Sequence, residues 1–333
     1  MFSLPTHYIA PFSPREIGAA IKYAKDTTEQ NISALLHLER VTAPVIVPTD
    51  SGLNDDLSGT ERKVTFTAGQ DGRRLEVVQS LAKWKRMALH QYGFGIEEGL
   101  YTDMNALRRD ETEDAIHSIF VDQWDWERVI SPASRTLDYL MATVRDIVKA
   151  LVATKTAINQ KYPHLCHTFS RDVSFISAKA LYDMYPTLSA EERECAFCKH
   201  HPISFIWGIG EPLPNGQPHT PRAPDYDDWT LNGDLLLWSP LHSAPIEISS
   251  MGIRVNGERM LYQLAQSQHI HRLKYAYHRA VLENYLPQTI GGGIGQSRLC
   301  MLLLEVAHIG EVQVSAWSES ERKKCASAGI TLL

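Results

Sequence analysis

Two long stretches of the chain carry apolar side chains at helical spacing. The first follows SPRE (residues 13–16), which has the spacing of a capping box with proline at the first helical position, and the second runs from about Arg135 to Gln160. Both stretches predict helices whose apolar stripe faces the core. A third helix is expected to begin at Ser189, which stands three residues before Glu192.

Short runs rich in β-branched and aromatic residues lie between these helices and predict strands. The runs come in neighbouring pairs and do not alternate steadily with helices, which favours an α+β fold around one mostly antiparallel sheet. The predicted strands cover residues 64–66, 75–78, 117–121, 203–207, 234–238, 246–249 and 312–317.

Four glycines precede the last strongly apolar helix, in TIGGGIGQSRLCMLLLE (residues 289–305). We expect a turn there, because glycine tolerates backbone conformations that other residues avoid. The stretch has neither the lysine of a P-loop nor the spacing of a dinucleotide-binding loop. It delivers Arg298 at the start of the helix instead, and a guanidinium can both stack on a base and pair with phosphate.

Acidic and polar residues interrupt several apolar strands. In VDQWDWE (residues 121–127), strand geometry would place Gln123, Asp125 and Glu127 on one face and the tryptophans on the other. That pattern fits a binding face and, equally, a half-buried strand with a solvated face. Asp234 and Glu247 also stand in apolar surroundings, where a carboxylate needs either an arginine or a metal ion. Mg²⁺ suits such hard oxygen ligands beside the phosphates of a nucleotide.

Basic residues stand out at three further places. ALRRDE (residues 106–111) puts Arg108 where a strand gives way to a loop, from which it can reach an anion lying over the sheet. RAPDYDDW (residues 222–229) combines an arginine with three carboxylates that need neutralising. In SLAKWKR (residues 80–86), Ser80 is expected to cap a short helix, and the lysines after it are most simply a solvated face.

The cysteines allow a metal site but do not favour one. Cys195-x-x-Cys198, with His200 and His201, offers four zinc ligands, yet the helix predicted from Ser189 runs through the motif. Ordinary helix residues are the preferred interpretation. Five irregularly spaced cysteines in a chain of 333 residues suit reduced thiols better than disulfides.

Composition narrows the class of protein. With 44% hydrophobic and 22% charged residues the chain is expected to be soluble and globular. The start of the sequence does not resemble a secretory signal, so we expect a cytoplasmic protein. A net charge of −6 gives no overall attraction for nucleic acid. Since neither repeats nor a linker break the sequence, we expect one domain over residues 1–333.

Several strings together resemble one family. An arginine before a loop and strand, and a late glycine stretch delivering a second arginine, resemble motifs 2 and 3 of the class II aminoacyl-tRNA synthetases, and LHLERVTAPVIVP resembles their motif 1. A closer resemblance is to the ammonia-dependent asparagine synthetases, the aspartate–ammonia ligases. It is carried, in order from about residue 30 onward, by DDLSG, SLAKWKR, EGLYTDMNALR, VDQWDWERV, RAPDYDDW, LNGDLLLW, ISSMGIR and PQTIGGGIGQSRL.

The resemblance implies an eight-stranded antiparallel sheet flanked by helices and a homodimer without a nucleic-acid or membrane partner. It also implies that L-aspartate, ATP and ammonia react with Mg²⁺ present to give L-asparagine, AMP and pyrophosphate. The aspartate side chain would attack the α-phosphorus of ATP to form β-aspartyl-AMP, from which ammonia displaces AMP. No glutaminase segment is visible in the printed sequence, so ammonia is the expected nitrogen donor.

The same resemblance assigns residues to roles. Arg108 would hold the α-phosphate, Arg298 would lie against the adenine and the distal phosphates, and Asp55 would receive ammonium and remove its proton. Arg254 would clamp the α-carboxylate of aspartate, with Lys85 as a second cation. The remaining assignments are Ser80, Gln123, Asp125 and Ser249 for the amino acid, Asp227, Ile248 and Gly295 for ATP, and Asp234, Glu247 and Ser250 for Mg²⁺.

Two other functions fit the sequence less well. An aminoacyl-tRNA synthetase is disfavoured because barely 30 residues precede motif 1 in the printed sequence and the chain is acidic. An inactive regulatory relative would be expected to have lost charged motif residues, whereas this sequence keeps Arg108, Asp234, Glu247 and Arg298.

Overall fold

The structure is a computed structural model that describes residues 4–5, 8–57 and 61–333. Its helices are α1 Glu16–Leu36, α2 Ala82–Tyr92, α3 Leu137–Lys161, α4 Ala178–Met184, α5 Ala190–Cys198, α6 Gly257–Gln266, α7 Ala276–Leu282, α8 Gln296–Leu304 and α9 Glu319–Ser327. Its strands are β1 Leu38–Arg40, β2 Ile46–Pro48, β3 Thr65–Ala68, β4 Arg73–Val77, β5 Gly99–Leu107, β6 Phe120–Val129, β7 Ser174–Ser177, β8 Ile203–Trp207, β9 Asp227–Ser239, β10 Ala244–Arg254 and β11 Thr289–Gly295.

Eight strands form one large sheet, in the order β1-β5-β6-β11-β10-β9-β8-β7. The pairings at its two edges, β1 with β5 and β7 with β8, are parallel, and the others are antiparallel. The expected α+β fold with a mostly antiparallel sheet is therefore confirmed. The expectation of a single sheet is wrong for residues 64–66 and 75–78, because β3 and β4 join β2 in a separate small sheet.

The helices predicted from Ser13, from about Arg135 and from Ser189 are all present, although α1 begins at Glu16, two residues after Pro14. Before α1, the Ser13 hydroxyl donates to Glu16 at 2.7 Å, and Glu16 accepts the Ser13 amide at 3.0 Å. The Thr136 hydroxyl caps α3 by accepting the Tyr139 amide at 3.2 Å. Ser189 and Glu192 form a complete capping box at α5.

Helices α1, α3 and α8 pack on one face of the large sheet and enclose the main core. Trp124 and Trp126 of β6 point into this core. Because side chains alternate along a strand, Gln123, Asp125 and Glu127 face the opposite side, as predicted from the sequence. That side is packed by α2 and carries the functional cleft.

The glycine-rich stretch is a central strand and not the expected turn. Residues Thr289–Gly295 form β11 between β6 and β10. A Cβ on Gly292 would lie 2.5 Å from the Cβ of Met251, and one on Gly291 would lie 2.2 Å from Oε2 of Glu127. The glycines are therefore explained by crowding around a buried strand.

Two predicted strands need correction. Residues 312–317 form no strand; they follow a 3₁₀ turn at Ile309–Glu311, and the buried Trp317 packs edge-on against His308, with ring centroids 5.0 Å apart. The strand predicted at 117–121 begins only at Phe120. The Asp114 carboxylate accepts the His117 amide at 3.0 Å and so holds the preceding chain in a bend.

In the described part of the chain, no helix is both long and apolar enough to cross a membrane.

Candidate active site

A cleft of about 480 Å³ opens over the polar face of the large sheet. Strand register explains why distant residues meet there: Asp125, Gly293, Ser250 and Asp234 are cross-strand neighbours along one row through β6, β11, β10 and β9. The predicted site residues that line the cleft are Ser80, Arg108, Gln123, Asp125, Asp227, Glu247, Ile248, Ser250, Arg254, Gly295 and Arg298.

Four other predicted residues, Asp55, Lys85, Asp234 and Ser249, lie behind the cleft wall formed by the described residues. All four are buried. Lys85 sits beneath Asp125, and Asp234 lies across from Ser250 on the next strand. The Ser249 hydroxyl is buried without a hydrogen-bond partner among the described residues. These side chains support the wall in this conformation and do not form its surface.

Arg254 is held by two buried carboxylates. Its Nε and Nη2 donate to Glu127, the latter at 2.7 Å, and its Nη1 bonds Asp227. Burial alone would raise the pKa of Glu127, but Arg254 outweighs it and holds that pKa below its usual value. The Thr289 hydroxyl also donates to Glu127 at 2.7 Å. Glu127 was not assigned a role from sequence, although its place on the polar face of β6 was a signal for one.

Lys85 is fully buried and pairs directly with Asp125. Its ammonium also donates to the Trp126 carbonyl at 2.8 Å and lies 3.7 Å from Glu127. The expected solvated face of α2 is therefore wrong at this position. Burial raises the pKa of Asp125 even though Lys85 opposes the shift, so the pair is a tight internal unit at the base of the cleft.

Arg108 and Arg298 place two guanidinium groups at the same cleft. Arg298 donates from Nε to the Ile116 carbonyl at 3.2 Å and from Nη1 to the Glu247 carbonyl at 3.3 Å. Arg108 follows β5, as predicted, and its Nε is buried with no hydrogen-bond partner among residues 4–5, 8–57 and 61–333. Burial, and next the charge of Arg298, lower the pKa of Arg108. Two cations forced together in this way form a site for an anion.

The predicted metal ligands do come together. Asp234 and Glu247 lie close enough that burial, followed by the charge of Glu247, raises the pKa of Asp234 to about 7. The Oδ1 atom of Asp234 is buried and unpartnered in the described structure. An unassigned residue, Arg222, reaches into this cluster and donates to the Ser250 hydroxyl. The acid-rich string around Arg222 was the only sequence signal for it.

Asp55 lies in a corner behind Gln79 and Tyr226, both of which line the cleft. Gln79 donates from Nε2 to the Asp55 carbonyl at 3.1 Å. Two buried oxygens there, Oδ2 of Asp55 and Oε1 of Gln79, have no partner among the described residues. Burial raises the pKa of Asp55 to about 6, and the charge of Asp225 adds to this, whereas the charge of Lys83 and the nearby Tyr226 hydroxyl oppose it.

The cysteine and histidine motif lies on and just after α5, away from the cleft. Cys198 is buried, and burial raises the pKa of its thiol to about 12. The ring of His201 bonds Ser174 at 2.9 Å. Among the described residues, the groups whose ligand atoms approach one another closely enough to share an ion do not include this motif.

The fold and the cleft define the class to which the protein belongs: the class II aminoacyl-tRNA synthetase fold. Asparaginyl-tRNA synthetase from Pyrococcus horikoshii, solved with asparaginyl-adenylate, superposes with a TM-score of 0.65 at 14% identity, covering 90% of this chain and 68% of that one. The Entamoeba histolytica enzyme, also with asparaginyl-adenylate, gives 0.64 at 14% identity, with 92% and 68% covered.

Sequence similarity then gives the family. The family model described as aspartate–ammonia ligase matches residues 15–329. The aspartate–ammonia ligase of Clostridium tetani is 50% identical over 99% of this chain and 97% of its own length, and that of Lactobacillus acidophilus is 49% identical over 99% of both. The chain belongs to the aspartate–ammonia ligase family, which confirms the resemblance found in its motifs.

Proposed function

We propose that the cleft synthesises L-asparagine from L-aspartate, ATP and ammonia by way of β-aspartyl-AMP. The observation that carries the proposal is the paired guanidinium groups of Arg108 and Arg298, which face a cleft whose other wall is acidic. Anionic phosphate fits the first wall, and a metal ion or an ammonium group fits the second.

In the first step a side-chain oxygen of aspartate attacks the α-phosphorus of ATP, and the bond to the β-phosphate oxygen breaks to release pyrophosphate. The attacked phosphate gathers negative charge, and the cation assigned to it is Arg108, whose Nε has no hydrogen-bond partner among the described residues. Arg298 would hold the adenine and the distal phosphates. Asp227, Ile248 and Gly295 would border the nucleotide.

The amino-acid pocket is assigned to the centre of the sheet. Arg254 has five N–H groups, and its bonds to Glu127 and Asp227 leave donors on Nη1 and Nη2 for the α-carboxylate of aspartate. Asp125 and Gln123 offer acceptors for the α-ammonium, and Ser80 lines the same cleft. Ser249 is assigned to the same pocket, although its side chain lies behind the cleft wall. Lys85 would act through Asp125, because it lies behind that carboxylate.

In the second step ammonia attacks the β-carbonyl carbon of the adenylate, and AMP leaves with the former carboxylate oxygen. Ammonia is mostly protonated near neutral pH, so the enzyme needs a group that binds ammonium and takes its proton. Asp55 is assigned to this task. Oδ2 of Asp55 and Oε1 of Gln79 have no hydrogen-bond partner among the described residues and are acceptors suited to ammonium. The charged groups facing Asp55 include Lys83, Asp225, Asp56, Arg272 and Lys63.

The residues assigned to Mg²⁺ fit that ion. Asp234, Glu247 and Ser250 offer hard oxygen atoms, and Oδ1 of Asp234 is buried without a partner in the part of the chain described. When bound, Mg²⁺ would neutralise charge on the nucleotide phosphates.

A homodimer is proposed from the motif-1 segment, where Val45 and Ile46 are 53% and 43% exposed. Such exposed apolar side chains are suited to a subunit interface, and light scattering of the purified protein measures the subunit number. We also propose that the protein works in the cytoplasm and that no nucleic acid takes part in the reaction.

The test is ATP–pyrophosphate exchange without ammonia. Exchange should require aspartate, because only adenylate formation is reversible there. Replacing Arg108 by alanine should lower exchange by about 100-fold or more, whereas alanine at the neighbouring, exposed Arg109 should leave it unchanged. Exchange without aspartate, or equal rates in the two variants, would contradict the proposal.

A further inference from the structure

Arg222 reaches into the group of residues assigned to the metal. It lies in the chain segment before β9, and its side chain is only 17% exposed. Its Nη2 donates to the Ser250 hydroxyl and lies 3.5 Å from Oδ2 of Asp227. The Nε atom is buried with no hydrogen-bond partner among the described residues. This guanidinium is thus enclosed by the cluster but is not saturated by it.

The charges of the cluster explain why a cation belongs there. Asp227 is already paired with Arg254, so its charge is largely compensated. Asp234 forms no ion pair within the described ranges. The Glu247 carboxylate lies 3.9 Å from the guanidinium of Arg298, and the Glu247 side chain is 44% exposed. Arg222 bonds Ser250, the cross-strand neighbour of Asp234, and its charge interacts with both Asp234 and Glu247.

A guanidinium and a divalent cation cannot share this place. Arg222 uses the Ser250 hydroxyl that is assigned as a metal ligand, and its positive charge repels a metal ion at the same carboxylates. We propose that Arg222 substitutes for the metal in the nucleotide-free enzyme and so makes metal binding depend on the nucleotide. This inference rests on the proposed assignment of Asp234, Glu247 and Ser250 to the metal.

Nucleotide entry then exchanges one cation for another. The phosphates bring enough negative charge to hold both the metal ion and the displaced guanidinium, whose free N–H groups can turn to phosphate oxygens. Arg222 is a positioning residue in this scheme, since it sets the order in which the metal and the nucleotide bind. It also prevents two bare carboxylates from facing each other before ATP arrives.

The experiment measures Mn²⁺ binding to the full-length protein by electron paramagnetic resonance. Without nucleotide, wild type should bind Mn²⁺ weakly, and R222Q should bind it at least about tenfold more tightly because one like charge is gone. R222K keeps the charge and should resemble wild type. R259Q is the matched control, because Arg259 pairs with Glu211 and Asp228 outside the cleft.

Several outcomes would overturn the inference. Equal Mn²⁺ affinity in wild type and R222Q would do so, and so would a tighter site in R222Q that survives the added D234N substitution. Tight Mn²⁺ binding by nucleotide-free wild type overturns it even if R222Q does not fold. These results leave the proposed reaction untouched if wild type still makes asparagine and AMP, whereas an enzyme that makes neither contradicts the proposed function itself.

Discussion

Three glycines of β11 meet different neighbours, so the same substitution should have three different effects. A Cβ on Gly291 would lie 2.2 Å from Oε2 of Glu127 and 2.6 Å from Nη2 of Arg254. One on Gly293 would lie 2.2 Å from Oε1 of Gln123, and one on Gly295 would have no neighbour closer than 3.5 Å. The variants G291A, G293A and G295A therefore test the site residue by residue.

The expected change in Tm depends on whether the neighbouring side chain can move away from the new methyl group. Glu127 is fully buried and bonded to Arg254 and Thr289, so it cannot swing away from a new methyl group. Breaking such a buried pair costs about 3–5 kcal/mol, which for a chain of this length lowers Tm by about 4–7 °C. Gln123 borders the open cleft and can turn aside, so G293A should change Tm by less than about 2 °C.

Activity separates the variants further. A displaced Gln123 no longer binds the ammonium of aspartate, and loss of a hydrogen bond to a charged group should raise KM for aspartate about tenfold or more. G295A should match wild type in Tm and in KM for aspartate, because Gly295 is assigned to the nucleotide and its added methyl group would meet no protein atom closer than 3.5 Å. Calorimetry and steady-state assays with aspartate as the varied substrate give both quantities. If G291A melts with wild type, or if G295A is as damaged as G291A, the packing described for this strand is wrong.

Three further predictions concern proton transfer, metal and thiols. Because the pKa of Asp55 is raised to about 6, the rate of asparagine formation should fall as pH drops through that value. The D55N variant should form no asparagine, but its aspartate-dependent ATP–pyrophosphate exchange should remain intact. An acid whose pKa is higher in the folded than in the unfolded state makes the fold less stable as pH rises between the two values. D55N should therefore melt above wild type near neutral pH, and a lower Tm would contradict the assigned environment. EDTA should abolish product formation, and added Mg²⁺ should restore it. Neither should change the Tm of the nucleotide-free protein, so a Tm shift with EDTA would contradict nucleotide-dependent metal binding. Serine at both Cys195 and Cys198 should leave activity and zinc content unchanged, and a lost equivalent of zinc would show that the motif binds metal.

Local signals predicted the helices well, because caps and apolar stripes act over a few residues. Ser13 stands three residues before the first residue of α1, and Ser189 caps α5. The alternation of Gln123 and Asp125 with tryptophans likewise gave the correct faces of β6, since side chains alternate on any strand. The order of the motifs also predicted the family, which the comparison with known aspartate–ammonia ligases confirms.

Long-range crowding and pairing were not predictable in the same way. Glycines 291–293 resemble a turn in sequence, and only their neighbours Glu127, Met251 and Gln123 explain them as strand residues. The apolar run at 312–317 forms an irregular segment, and the side chain of Trp317 is buried there without any strand pairing. Lys85 pairs with Asp125 and Arg222 with Ser250 because α2 and the segment before β9 pack on the sheet, and short sequence patterns do not specify such packing.

The most direct test of the central claim follows one oxygen atom. Aspartate labelled with ¹⁸O in its side-chain carboxylate is converted with ATP, Mg²⁺ and ammonium, and the products are separated for mass spectrometry. Attack of that carboxylate on the α-phosphorus predicts one ¹⁸O in the phosphate of AMP for each asparagine formed. Label in inorganic phosphate together with ADP, or unlabelled AMP, would contradict a β-aspartyl-AMP intermediate.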